Sequence, residues 1–218
     1  ERLERDLKKT RTADLERERD LLLRSKDALE QGGPLRGVAM TDDERKLLRG
    51  FQFLSAKPLL LVINLDEADT ALLADGPRAA EATGLTGFLS RAGTRAVAVC
   101  AKIELEIAQL GASDAAAFLA DLGLAEAGVN RVIRATYELL GYISFLTAGD
   151  DECRAWSIPR GTHAQAAAGE IHTDIARGFI RAEVVRFEHL IARGSIAACR
   201  EHGEVRLEGK EYPVHDGD

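Results

Sequence analysis

The sequence predicts a helical arm, then a layer of helices and parallel strands, and then a small α+β domain. The first 31 residues are dense in charge and carry leucines at seven-residue intervals. Two short apolar runs, at 59–65 and 95–104, enclose helix-compatible sequence, which is typical of buried parallel strands of an α/β layer. After Gly141 the chain changes to short strand-like pieces separated by Gly, Pro and Asp. We therefore expect domains at 1–55, 56–141 and 142–218.

The first helix of the predicted arm carries a narrow apolar seam. Leu15, Leu22 and Leu29 are seven residues apart, and Leu3 and Leu7 begin the same stripe one register earlier. A seam of this kind on a charged helix is typical of a coiled-coil arm.

A second arm helix is predicted after a short break. The sequence GGP at 32–34 ends the first helix, because two glycines and a proline do not continue one. Thr41 and Glu44, in TDDE, form a capping-box pattern, so a helix should begin there and run to about Ser55. The resulting hairpin is either a protruding spacer or a binding arm.

Composition limits the classes of protein that remain. The chain has 218 residues, 45% of them hydrophobic and 30% charged, so it can bury a core. Its net charge of -7 argues against wrapping of nucleic acid by the whole chain, although a local basic face is still allowed. Three widely spaced cysteines predict neither a disulfide framework nor a zinc site, and no apolar run approaches the roughly 18 residues of a membrane helix. We expect a cytoplasmic monomer.

The α/β part of the sequence holds too few strands for a sheet of its own. Two strands do not form a free-standing sheet, and the chain lacks an initiator Met, so we expect further strands ahead of residue 1. A helical region is predicted over 113–140, with Gly141 as its C-cap. Beyond it, strand-like pieces lie at 142–149, 152–159, 179–187 and 204–214, and helices are predicted near 164–172 and 195–202.

Familiar catalytic and metal-binding motifs are absent from these 218 residues. The sequence contains no GxxxxGK[ST], GxGxxG, HExxH or GxSxG pattern. Its five histidines share no metal-ligand spacing. No phosphate or metal site is predicted from these residue types.

Polar residues at the ends of the two predicted strands are the remaining candidates. In open α/β sheets, ligands lie outside the carboxyl ends of the strands. Asn64 and Glu67 follow the first strand in LLLVINLDE, and 100–102 (CAK) lie at the end of the second. An Asn side chain offers the donor and the acceptor that an adenine edge needs. An ordinary turn followed by a capped helix explains the same residues, and the spacing alone leaves both explanations open.

The sequence resembles the YchF, or Obg-like ATPase, family. The resemblance is carried by NRVIRATYELLGYISFLTAG, RAWSI, AAGEIHTDIARGFIRAEV and EGKEYPVHDGD, and it extends over essentially the whole chain. Family members are P-loop NTPases of the translation-factor class. The resemblance implies a partial P-loop α/β domain with an inserted helical coiled-coil arm, followed by a TGS domain of the ubiquitin-like β-grasp fold, with one more strand after Asp218.

The resemblance also implies a role for NLDE. It lies where the family carries Asn-x-x-Glu in place of the Asn-Lys-x-Asp of guanine-specific relatives, a change that accompanies a preference for ATP over GTP. CAK at 100–102 matches the second base-contacting loop, with Cys100 in place of the usual serine. The implied base-binding residues are Asn64, Leu65, Glu67, Cys100, Ala101 and Lys102.

The catalytic parts that the family uses do not match any residue of this sequence. The phosphate loop and the switch segments, through which Mg²⁺ is held, should precede residue 1, so we expect the 218-residue chain alone to hydrolyse no nucleotide. Ribosomes, chiefly the large subunit with its RNA, are the implied partners. Arginines 154, 160, 177, 181 and 186 are candidates for phosphate contacts, foremost Arg154, Arg160 and Arg181, or they are solvated surface residues. A non-enzymatic RNA- or ribosome-binding module is the alternative.

Overall fold

The computed structural model describes residues 4, 5, 10, 12–149 and 152–218. The chain divides into two compact units, Glu1–Leu139 and Leu140–Asp218. The predicted seam positions Leu3 and Leu7 lie outside the described residues. Among the helices within the described part of the chain, none is long and apolar enough to cross a membrane.

The first helix, α1, spans Ala13–Glu30. The side chain of Thr12 caps it by accepting a hydrogen bond from the N–H of Leu15. It ends at a left-handed Gly32 (φ +74°), as the GGP break predicts. Its buried residues are Leu21 and Ser25, whereas Leu29 is 45% exposed. The stripe that packs is therefore displaced from the predicted Leu15–Leu22–Leu29 seam.

The second arm helix, α2, spans Asp42–Leu48 and begins at the predicted capping box. The N–H of Glu44 donates to Thr41 Oγ1, and the Glu44 carboxylate accepts from the N–H of Thr41. Arg24 of α1 donates to Glu44 at 2.6 Å and links the two helices. The expected continuation to about Ser55 is wrong, because Gln52 adopts a left-handed conformation (φ +51°) that interrupts the helix. Short 3-10 turns at Leu35–Gly37, Arg49–Phe51 and Leu54–Ala56 complete the arm.

The two apolar runs form parallel strands, as predicted. β1 spans Leu59–Asn64 and pairs in parallel with β2, Thr94–Val99. The predicted extension of the second strand to residue 104 is wrong. Cys100 is the N-cap of a helix that begins at Ala101, so the last four residues of that run belong to a helix.

Helices cover this strand pair. A 3-10 turn at Glu67–Asp69 follows β1, and then come α3 (Thr70–Leu73), α4 (Gly76–Ala82), α5 (Thr86–Leu89), α6 (Ala101–Gln109), α7 (Ala112–Asp121) and α8 (Gly128–Leu140). The region predicted as helical over 113–140 is thus two helices. The core contains Ile63, Leu73, Ala79 and Ile103. A Cβ at Gly76 would lie 2.1 Å from the carbonyl oxygen of Ala96, so only glycine allows α4 to approach β2 this closely.

In the second unit, the described residues form two antiparallel strand pairs and four helices. β3 (Tyr142–Ala148) pairs with β4 (Cys153–Pro159), and β5 (Ala182–Val184) pairs with β6 (Arg206–Glu208). The helices are α9 (Ala164–Ile171), α10 (Thr173–Arg177), α11 (Phe187–Arg193) and α12 (Ile196–Glu201). The strand predicted over 179–187 is only three residues long, because Arg186 is the N-cap of α11.

The core of the second unit lies between the β3–β4 pair and α9. Ile143, Phe145 and Ile158 are buried against the alanines of α9. Trp156, the only tryptophan of the sequence, is partly buried, packs against this core and stacks on Phe145 with ring centroids 6.5 Å apart. Its indole N–H donates to Thr147 Oγ1 at 3.0 Å, so this partly buried donor has a partner.

A largely apolar groove of about 810 Å³ lies in this unit and is lined by β3, α9, β5 and α11.

Backbone hydrogen bonds attach Gly217 and Asp218 to β3. The N–H of Gly217 donates to the carbonyl oxygen of Ser144, and the N–H of Leu146 donates to the carbonyl oxygen of Asp218. The Asp218 carboxylate accepts from the Tyr212 hydroxyl at 2.7 Å and from Arg206 at 3.2 Å. Burial, and then the hydrogen bond and charge of Asp218, raise the pKa of Tyr212 to about 12.

Candidate nucleotide-base site

The carboxyl ends of β1 and β2 are joined by one side chain. Asn64 is the last residue of β1, and its Oδ1 accepts a hydrogen bond of 2.9 Å from the N–H of Ala101, the first residue of α6. Parallel pairing places the two strand ends at the same edge, so residues 37 apart in sequence become neighbours. Because Oδ1 must face the Ala101 donor, the Asn64 amide has one orientation, and its Nδ2 is the group available to a ligand.

Glu67 and Lys102 form an ion pair across the same edge. The Lys102 ammonium donates to Glu67 Oε2, and both side chains are partly exposed. The hydrogen bond from Lys102 to Glu67 raises the pKa of the ammonium, and the charges of Glu67, Glu106 and Asp66 raise it further. Lys102 is therefore firmly protonated and surrounded by carboxylates.

Two of the predicted site residues are buried. The Leu65 side chain is 9% exposed and the Cys100 side chain is 3% exposed, and both belong to the core of the first unit. The N–H of Leu65 donates to Val99 at 2.8 Å, which extends the strand pair by one residue. Cys100 caps α6 with no side-chain hydrogen bond. These two side chains anchor the loops, and only their backbone groups remain to face a ligand.

The turn explanation of NLDE accounts for one residue of the four. The Asp66 carboxylate accepts from the N–H of Ala68 at 3.1 Å and caps the 3-10 turn that follows. The Asn64 side chain forms no such turn, because the N–H from which it accepts belongs to Ala101 of α6. The structure therefore separates a turn-forming carboxylate from an amide that bridges two strand ends.

Residues that the sequence did not single out support the second loop. Glu104 of α6 accepts hydrogen bonds from the N–H groups of Gly128 at 2.6 Å and Val129 at 3.1 Å, and so caps α8. Arg131 of α8 donates to the carbonyl oxygens of Glu126 and of Ala98 in β2. These contacts fix α6 and the end of β2 against α8. No local pattern marks the contacts of Glu104 with Gly128 and Val129 or of Arg131 with Ala98, because these partners are more than 20 residues apart.

The chemistry of this edge suits a neutral ring better than a phosphate. Its carboxylates, Asp66, Glu67 and Glu106, surround a single ammonium and would repel a phosphate. Donor and acceptor groups in fixed positions are instead what recognition of a base edge requires. Within the described residues, no group of three His, Cys, Asp or Glu side chains could hold a metal ion.

The arginines of the second unit differ in their partners. The guanidinium of Arg154 lies 4.2 Å from the centroid of the Trp156 ring. Arg177 pairs with Asp174 at 3.3 Å, and Arg186 approaches Glu188 at 3.8 Å. Arg160 and Arg181 are exposed and enter no ion pair within the described part of the chain.

The chain thus contains an α/β unit, with a candidate base site at the carboxyl ends of β1 and β2, and a small α+β unit. Residues 142–218 match the family model described as YchF-GTPase_C, "Protein of unknown function (DUF933)". Over 212 residues the chain is 41% identical to the ribosome-binding ATPase YchF of Bacillus subtilis, covering 97% of this chain and 57% of that protein. The protein of the same name from Escherichia coli O157:H7 is 40% identical over 190 residues, or 87% of this chain and 51% of that protein.

The YchF GTPase of Schizosaccharomyces pombe shares this fold, with a TM-score of 0.74 and 24% sequence identity over 99% of this chain and 60% of that one. The chain belongs to the YchF/Obg-like family. It spans about half the length of the curated relatives that it matches.

Proposed function

We propose that this chain supplies the base-recognising loops and the carboxyl-terminal domain of a ribosome-associated, ATP-hydrolysing protein. The observation that carries the proposal is the hydrogen bond from Ala101 to Asn64, which fixes an amide at the carboxyl ends of two parallel strands. Its relatives from Bacillus subtilis and Escherichia coli are named ribosome-binding ATPases. On this proposal the arm is the coiled-coil insertion of the family, and residues 142–218 are its TGS domain.

The fixed Asn64 amide can bind either purine base, but it does not distinguish adenine from guanine. With its Oδ1 held by Ala101, Asn64 presents Nδ2 as a donor, which suits N7 of either adenine or guanine. The two bases differ at position 6, an amino donor in adenine and a carbonyl acceptor in guanine, and in the N1 and N2 protons of guanine. Glu67 stands where guanine-specific relatives place the Asp that accepts those protons. We propose that the site therefore prefers ATP to GTP.

Hydrolysis needs parts that these residues do not provide. Transfer of the γ-phosphoryl group depends on a phosphate loop and bound magnesium, and the sequence holds no GxxxxGK[ST] motif. The described residues also lack a group of ligands that fits a metal ion, so magnesium is assigned to none of them. What these residues do is bind and orient the base. We expect the 218-residue chain by itself to release no phosphate from ATP.

Calorimetric titration of the full-length gene product with non-hydrolysable ATP and GTP analogues tests the proposal. We expect the ATP analogue to bind at least about tenfold more tightly, since the wrong base leaves polar groups unpaired. Replacing Leu65 by lysine to imitate guanine-specific relatives is a poor test, because that side chain is buried. Equal dissociation constants for the two analogues would contradict the assignment of this edge to adenine.

A ribosomal partner, with large-subunit RNA as the contact, is proposed for the second unit. Three arginines of this unit, Arg154, Arg160 and Arg181, pair with no carboxylate within the described residues. Exposed guanidinium groups of this kind bind phosphates in a salt-dependent manner. Arg154 is set apart, because its guanidinium already stacks on Trp156.

A further inference from the structure

We propose that the Lys102–Glu67 ion pair determines base specificity by holding the Glu67 carboxylate away from the ring edge. The inference rests on the proposed function, since it concerns the same base site. Glu67 lies in the 3-10 turn after β1 and Lys102 in the first turn of α6 after β2, so the pair links the same two segments as the Asn64–Ala101 bond. Their proximity follows from the parallel pairing of β1 and β2, which brings both segments to one edge.

A free carboxylate at this position would favour the wrong base. Guanine offers N1–H and N2–H donors on the ring edge, and a carboxylate that accepts both is the strongest available partner for them. Adenine has a lone pair at N1 and a C–H at C2, so the same carboxylate would face no donor. The Lys102 ammonium is bonded to Oε2, one of the two Glu67 oxygens that a bidentate contact with guanine would use, and its charge offsets the negative charge that adenine would meet.

The charges around Lys102 keep this arrangement in place. Asp66 and Glu106 add to the attraction that Glu67 exerts on the ammonium. The pair is exposed, so it contributes little to folding stability, and its removal should leave the fold intact. The effect of breaking it should appear in the choice of base.

A double-mutant cycle on Lys102 and Glu67 tests the inference. Lys102→Met keeps most of the side-chain stem and removes the charge, which releases the Glu67 carboxylate. In the full-length gene product, we expect the dissociation constant for a GTP analogue to fall up to about fivefold, while that for the ATP analogue changes less than about twofold. Glu67→Gln should bring no such gain for GTP, because the carboxylate is gone. In the double variant the gain caused by Lys102→Met should disappear.

A matched control is the Lys46–Asp43 pair of α2, an exposed ion pair within the arm. Lys46→Met should leave both constants unchanged. An unchanged GTP constant in Lys102→Met, an equal loss for both analogues, or a gain that survives in the double variant would overturn the inference. If the unaltered protein binds no ATP, the proposed function itself fails. If it prefers ATP and the cycle shows no coupling, only the role of the ion pair is refuted.

Discussion

The two candidate contact regions of this chain are built in different ways. At the β1–β2 edge, Asn64 is held by a backbone N–H, and the loops around it are anchored by buried Leu65 and Cys100. In the second unit the candidate contacts are exposed arginines on long side chains, such as Arg160 and Arg181. A group fixed before binding loses little entropy when a ligand arrives, whereas an arginine can give up roughly 2 kcal/mol of rotamer freedom.

This difference indicates which property each region can supply. Fixed donors and acceptors discriminate between ligands of similar shape, because a mismatch leaves a polar group unpaired. Mobile cations give affinity for phosphates of any sequence, and that affinity falls as salt rises. The first region is therefore suited to the choice of nucleotide, and the second to attachment to a charged surface.

Loss of the close packing behind β2 should have the largest effect. Gly76→Ala places a Cβ against the carbonyl of Ala96, so we expect a loss of about 3 kcal/mol in the first unit. Gly87→Ala is the control, because nothing lies within 4 Å of the added atom. Urea unfolding followed by circular dichroism measures the loss, while Trp156 fluorescence reports the second unit separately. Equal effects of the two substitutions would contradict the close approach of α4 to β2.

Removal of the Glu104 cap should cost less. Glu104→Ala leaves the N–H groups of Gly128 and Val129 without their carboxylate, at about 1–3 kcal/mol. Glu106→Ala, on the same helix and exposed, should be close to neutral. The same circular dichroism experiment distinguishes them. If Glu104→Ala is as mild as Glu106→Ala, the support of the second loop by α8 is not important for stability.

Charge reversal in the second unit should change salt dependence more than specificity. With Arg160→Glu and Arg181→Glu together, the slope of log affinity for ribosomes against log salt should flatten by about two units or fewer. Arg177→Glu is the control, because Arg177 already pairs with Asp174. Cosedimentation of the full-length gene product at several salt concentrations measures the slope. An unchanged slope in the double variant would make these arginines ordinary surface residues.

A further effect, confined to high pH, concerns Tyr212. Its phenol keeps its proton to about pH 12 in the folded chain, compared with 10.0 as its usual value. Between these values the folded state binds more protons than the unfolded state, so the free energy of unfolding should fall as pH rises from 10 to 12. Tyr212→Phe should remove that part of the decrease. Urea midpoints from Trp156 fluorescence at pH 9, 10.5 and 11.5 give the comparison, and identical slopes for both proteins would contradict the shifted pKa.

Elements that depend on neighbouring residues were predicted from the sequence. Contacts between segments far apart in the chain were not. The capping box at Thr41 and the parallel strands depend on neighbouring residues and apolar runs, and both are present. The displaced seam of α1 shows the limit of periodicity, because the buried stripe is chosen by what packs against it. For the site, the strand ends were predictable in position. The Asn64–Ala101 bond and the cap from Glu104 were not, since they depend on register between segments far apart in sequence.

The dissociation constant of ATP for an Asn64→Ala variant of the full-length gene product is the most direct measurement. We expect affinity to fall about tenfold, because the donor to the base is lost together with the bond that orients it. Asp75→Ala removes a carboxylate of the same unit that accepts from the N–H of Arg78 and caps α4, and it should leave the constant within about threefold. Circular dichroism should show that both variants remain folded. Wild-type affinity in Asn64→Ala, or equal losses in the two variants, would contradict recognition of the base by Asn64.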